Sequence, residues 1–243
     1  MIGSLGQWLG LALVALVAAT LAAVTGFGGA AVLLPALVAV FGVRAAIPIL
    51  TVAQLIGNGA RVVFNRRELD VRVVAWFALG GVPMALAGGY LFARAPTTVL
   101  LRLLGAFLLF VVLWRHLRPA RSRSFPTPAF AAIGAGGSLL SALVGSVGPL
   151  MAPFYLAYGL VKGAYIGTEA LSTVVMHVTK LVAYQRTAVL TPTGALVGLA
   201  LGPLMILGSW LGKRVVDRLP ERVFVAIIEI VLVVAGVLFL LRG

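Results

Sequence analysis

Apolar residues run along this chain in long blocks, separated by short clusters of glycine, proline and arginine. Ten segments emerge, approximately 7–25, 30–42, 45–64, 72–93, 98–116, 128–144, 149–159, 163–184, 191–212 and 222–241. Lipid offers no partner to a bare backbone N–H or C=O, so a chain that crosses it must satisfy these groups internally, as a helix does. About 20 apolar residues at 1.5 Å each span a hydrocarbon core near 30 Å. Most of the segments reach that length. The exceptions are 30–42 and 149–159, which as helices would cover only about 16 to 20 Å. They are expected to be half-helices or arms of re-entrant hairpins.

The two short segments hold corresponding places in two related halves. Phe41-Gly42 matches Tyr158-Gly159, Thr51 matches Thr168, and Phe64-Asn65-Arg66 matches Tyr184-Gln185-Arg186. Pro83 pairs with Pro203, and Gly88-Gly89-Tyr90-Leu91 with Gly208-Ser209-Trp210-Leu211, all at separations of 117 to 120 positions. A collinear series of this kind is the mark of an internal repeat. The expected organisation is an N-terminal membrane repeat over 1–117, a basic cytoplasmic linker over 118–127 and a C-terminal membrane repeat over 128–243.

Composition agrees with a lipid solvent. Apolar residues make up 62% of the chain and charged residues 10%, against roughly 25% charged in an average soluble domain. The 19 Lys and Arg outnumber the six Asp and Glu, but they sit between apolar runs rather than beside interleaved aromatics, so they set topology and do not mark a nucleic-acid surface. With the N-terminus outside, Arg66, Arg67, Arg72, the linker arginines, Lys162, Lys213, Arg214, Arg218 and Arg222 fall on the cytoplasmic side. Only Arg44, Arg94, Arg186 and Arg242 fall outside, as the positive-inside rule favours. Both termini are then external, in the inner membrane. Five segments per half is an odd number, so the second repeat enters the membrane inverted relative to the first. The fold class expected is an all-α polytopic membrane protein of two inverted-topology repeats of about five helical segments each, a short broken or re-entrant helix opening each repeat. No cysteine is present, which removes disulfides and thiolate metal sites. Met1–Trp8 lacks a positive n-region, so Leu9–Val24 is expected to belong to the mature protein.

Chemistry concentrates at the breaks before the short segments. The first reads Thr25-Gly26-Phe27-Gly28-Gly29, the second Gly145-Ser146-Val147-Gly148-Pro149. Glycines let a chain reverse and bare its N–H groups, and at the start of a helix those groups join the positive dipole end to make an anion site. Proline just after a glycine suits a first helical turn. Small residues at such places also serve close helix packing, which is the alternative for either break alone.

Polar residues inside the apolar runs extend the candidate site. Thr51, Gln54, Asn58 and Arg61 recur at intervals of three and four, as do Glu169, Thr173, His177, Lys180 and Tyr184, so each set lines one helical face. Such faces are expected to turn toward the bundle interior or a water-filled path. Snorkelling from a helix end is the alternative for Arg61 and Lys180, and interhelical hydrogen bonding for Gln54, Asn58 and His177. Glu169 is expected near the end of its segment and hydrated, coupling of a proton through it or through His177 being the alternative. The role of Glu229 stays open between packing and proton transfer. The substrate-binding set is Thr25, Phe27, Gly28, Gly29, Gln54, Asn58, Ser146, Val147, Gly148, Thr168, Ser172 and His177, with Arg61 and Lys180 recruiting the anion.

With Gly26-Phe27-Gly28-Gly29 running to Pro35, the Phe64-Asn65-Arg66 and Tyr184-Gln185-Arg186 segment ends and the duplicated architecture, the whole chain resembles the sulfite exporter TauE/SafE family of bacterial membrane transporters. The second break is less glycine-rich than the family pattern. The resemblance implies transport of sulfite, sulfoacetate or a related organosulfonate. Another small carboxylate or inorganic anion, or uptake, is the nearest alternative. The expected mechanism is secondary transport, in which one repeat rocks against the other around the site, and no G-x-x-x-x-G-K-[ST] loop for ATP occurs. An integral membrane enzyme fits less well, because the two histidines and six acids do not suggest a nucleophile–base pair or metal cluster. No cofactor or metal is expected. The partners expected are a small anion and membrane lipid, without nucleic acid, a homodimer being left open.

Overall fold

The computed structural model describes residues 5–25, 29–117, 126–215, 233 and 237–241. Every regular element among them is a helix: α1 (Leu5–Thr25), α2 (Gly29–Phe41), α3 (Val43–Phe64), α4 (Val71–Arg94), α5 (Thr97–Leu117), α6 (Ala129–Val144), α7 (Gly148–Tyr158), α8 (Lys162–Arg186), α9 (Pro192–Ala200) and α10 (Gly202–Val215). The first eight predicted segments match α1 to α8 within two residues at each end. The ninth, expected to run unbroken over 191–212, is interrupted at Leu201 between α9 and α10. Pro203 permits the interruption, since it donates no N–H and its ring crowds the carbonyl four residues back. Leu201 keeps φ −75° and ψ −16°, so the chain still continues in a right-handed helical direction. Most of the tenth segment, with Glu229, and residues 118–125 of the linker lie outside the described residues.

The chain is a polytopic all-α membrane protein. Spans Leu5–Val24, Val43–Phe64, Val71–Arg94 and Pro192–Arg214 are long and apolar enough to cross a bilayer. In α1, Leu5, Leu9 and Leu13 recur every four residues and are 62–76% exposed, a stripe suited to lipid, while Ala15, Ala18 and Ala22 on other faces are buried. The two short helices keep their predicted lengths, 13 residues for α2 and 11 for α7. Each hands over to a long helix through a left-handed glycine, Gly42 at φ 74° before α3 and Gly159 at φ 105° before α8. A side chain at φ values of that kind meets its own backbone, which is why glycine stands at both corners.

The helices approach closely where small residues meet. α4 packs on α6 and α1 on α10, while α3 packs on α8. A Cβ on Gly208 of α10 would stand 2.6 Å from Ala19 Cβ and 2.7 Å from the Leu16 carbonyl. One on Gly88 of α4 would stand 2.8 Å from Ala142 Cβ and 2.9 Å from the Leu139 carbonyl. Without a hydrophobic drive between helices in lipid, this contact is the main source of cohesion. On α6, a Cβ at Gly134 would run into the Phe77 carbonyl, whereas at Gly136 nothing lies within 4 Å. Gly134→Ala is therefore expected to destabilise the protein by about 1–3 kcal/mol through overpacking. Gly136→Ala should be neutral or slightly stabilising, because alanine has the better helix propensity. Unfolding of both variants in detergent checks the contrast.

Candidate functional site

The short helices α2 and α7 both open onto one cavity. Its wall includes Gly29 and Ala30 from the first turn of α2, and Ser146, Val147 and Gly148 from the approach and first turn of α7. The first N–H groups of a helix have no intrahelical acceptor, so each opening presents donors and the positive end of a dipole. Val147, the residue before α7, has φ −133° and ψ 12° and supplies no side-chain cap, and Pro149 follows at the first turn. Gly29 has a packing duty as well. A Cβ there would meet the Ala18 carbonyl at 2.5 Å, so glycine lets α2 start against α1.

The polar faces of α3 and α8 complete the wall. Gln54, Asn58 and Arg61 come from α3, and Glu169, Thr173 and His177 from α8. Helical periodicity puts the members of each set on one side of their helix. α3 packs against α8, and the two polar sides line the same cavity. Arg61 donates from Nη1 to the Ala22 carbonyl at 3.2 Å, from Nη2 to Asn58 Oδ1, and lies 3.5 Å from Glu169 Oε2. Thr173 Oγ1 donates to Glu169 Oε1 at 3.1 Å. Asn58 Nδ2 donates to the Gln54 carbonyl at 2.8 Å, which fixes its amide. Gln54 Nε2 and His177 Nδ1 are buried at the cavity without a hydrogen-bond partner. A buried polar atom without a partner is costly. Two of them on one small cavity are therefore a sign of a ligand. The cavity leaves about 30 Å³ for the centres of water-sized molecules, where one water needs on the order of 10–15 Å³. Ala22, Phe77, Met151, Tyr155 and Met176 form its remaining, mainly apolar wall.

Not every predicted residue reaches this space. Thr168 is buried beside it but accepts from the Asp70 N–H at 2.9 Å, tying α8 to the start of α4. Ser172 donates to the Thr168 carbonyl at 3.0 Å. Lys180 is fully buried and donates to Ser141 Oγ at 3.0 Å and the Gly145 carbonyl at 3.2 Å, which places its ammonium at the end of α6 rather than in the cavity. Phe27, Gly28 and the Thr25 side chain lie outside the described residues. Glu169 corrects the expectation of a hydrated carboxylate at a segment end, because it is 4% exposed and paired with Arg61. A lone acid within an apolar helix was the signal for it. Arg61 is likewise buried and does not snorkel. The apolar lining carried no sequence signal, since Phe77 and Met176 look like any core position.

A family model described as Sulfite exporter TauE/SafE matches residues 11–239 of the chain. No curated protein and no solved structure matches it.

Proposed function

The chain belongs to the sulfite exporter TauE/SafE family, and on that premise we propose that it exports sulfite, sulfoacetate or a related organosulfonate across the cytoplasmic membrane by alternating access. The observation that carries this reading is the cavity on which the opening turns of α2 and α7 converge with Arg61. A small oxyanion is the ligand such a wall suits. Backbone N–H groups at Gly29 and Gly148, the Gln54 amide, the Ser146 hydroxyl and Arg61 are donors, and His177 Nδ1 takes part as donor or acceptor. We assign these groups to binding and translocation rather than to catalysis.

Movement is proposed to follow the repeats. α4 on α6 and α1 on α10 are the pairs that exchange when the two halves are interchanged, and α3 on α8 exchanges with itself. Arg61 donates to the Ala22 carbonyl and Lys180 to the Ser141 carbonyl, a correspondence in which donor and acceptor are both displaced by 119 positions. These parallels support two inverted repeats, 1–117 and 128–243, that tilt about a fixed site. The basic loops put both termini outside by the positive-inside rule.

Sulfite flux in proteoliposomes tests the site. Gln54→Met and Ser146→Ala remove donors whose loss strands no protein partner known in the structure, so stability should change little. Each lost hydrogen bond to a charged ligand is worth about 1.5–3 kcal/mol, so sulfite affinity should fall tenfold or more. Unchanged flux in both variants, and in Asn58→Leu, would discard the assignment.

A further inference from the structure

Deepening the export reading, we infer that Glu169 is the binding site of a proton that travels with the anion, so that one proton accompanies each sulfite dianion. The juxtaposition of Arg61 and Glu169 on the cavity wall carries the inference. Their side chains are 6% and 5% exposed and stand 3.5 Å apart. A tight charge-assisted hydrogen bond is about 2.7–2.9 Å long, so this pair is held loosely, and Glu169 keeps a second contact to Thr173. Glu169 thus occupies the cation that an incoming oxyanion would seek. When the anion takes Arg61, the carboxylate loses its partner in a site shut off from water. An unpaired charge there is strongly disfavoured, and protonation removes it.

Among the groups around Glu169 only His177 is another base that can take a proton, and it holds no ion pair that an incoming anion would break. Arg61 faces it from α3, Tyr155 from α7, and Tyr165, Thr173 and His177 from α8 itself. Arginine holds its charge throughout the working range, and a phenol is already neutral there. Lys180, three residues beyond His177, is engaged with the end of α6. The cycle balances as follows. A proton from the side on which the anion enters adds to a carboxylate oxygen of Glu169, while the anion takes its place at the guanidinium. On the far side the anion leaves, the proton returns to water, and the carboxylate pairs again with Arg61. Each turn moves two negative charges and one positive, a net single negative charge that an inside-negative potential still drives outward.

Wild-type protein and Glu169→Gln, whose amide imitates the protonated acid, are reconstituted in proteoliposomes at an alkaline pH where sulfite is the dianion, equal on both sides. A tenfold sulfite gradient is opposed by a potential set with potassium and valinomycin, and leak through protein-free vesicles is subtracted. Net flux of the wild type should stop at about 59 mV, the value for one charge per tenfold ratio, and that of Glu169→Gln at about 30 mV, the value for two. A wild-type value near 30 mV overturns the inference even if the variant fails to fold. A variant value that stays near 59 mV overturns it too, and a return to about 30 mV in His177→Asn would then put the proton on that ring. Absence of any wild-type sulfite flux strikes the export reading itself, which distinguishes the two failures.

Discussion

Arg61→Leu is expected to abolish sulfite flux and to lower the unfolding free energy by about 3–5 kcal/mol, the usual effect of stripping one partner from a buried ion pair. The guanidinium has three duties in one place. It holds α3 to the Ala22 carbonyl of α1, orients Asn58, and neutralises Glu169 from α8. Leucine leaves the Glu169 carboxylate buried with no cation at hand and deprives the cavity of its positive charge. The double variant Arg61→Leu with Glu169→Gln should recover much of the stability, because no charge is then stranded, and none of the flux. Unfolding in detergent and flux in vesicles read the two effects separately. Retention of more than a tenth of wild-type flux in the single variant would remove Arg61 from the site.

Lys180→Met should reduce flux more than tenfold from a position outside the cavity. Its ammonium ties Ser141 Oγ and the Gly145 carbonyl to α8, and Gly145 turns the chain at φ 86° directly before Ser146. Ser141's carbonyl already accepts from the Gly145 N–H at 2.9 Å, so the group chiefly stranded by methionine is the Gly145 carbonyl, which keeps only a 3.4 Å contact from Ser141 Oγ. One unmet buried acceptor costs about 1–3 kcal/mol. The larger consequence is a loosened approach to α7, which shifts Ser146 and Gly148 against the anion and should raise the sulfite KM. Ser141→Ala, which removes one acceptor of the same ammonium, should act in the same direction more weakly. An unchanged KM in Lys180→Met would mean that the α6 end needs no such anchor.

Several features of the fold follow from local pattern alone. α2 and α7 are short in the structure as in the sequence, because glycines bracket both of them, Gly29 and Gly42 around α2 and Gly148 and Gly159 around α7. The stripes Gln54, Asn58, Arg61 and Glu169, Thr173, His177 face inward because a polar group in lipid is costly wherever it stands. The interruption at Leu201 is harder to read, since Pro83 sits inside an unbroken α4 and Pro203 follows a break. The same residue therefore has two outcomes, and neighbouring packing decides between them.

Partnership was not legible at all. Arg61 meets Glu169 across 108 positions, and Lys180, on the same stripe as His177, turns away from the cavity to the end of α6. Periodicity ranks residues by face and by depth, but the angle at which two helices cross determines which side chains touch. The sequence by itself determined that this chain lives in lipid, where its first eight helices begin and end, and which faces avoid the lipid, because those depend on backbone hydrogen bonding and on transfer of single residues between solvents. Tertiary structure alone decided that the two short helices α2 and α7 share one cavity, and that a buried cation and a carboxylate stand together on its wall. Those are contacts between residues far apart in the chain, set by how small side chains let whole helices approach.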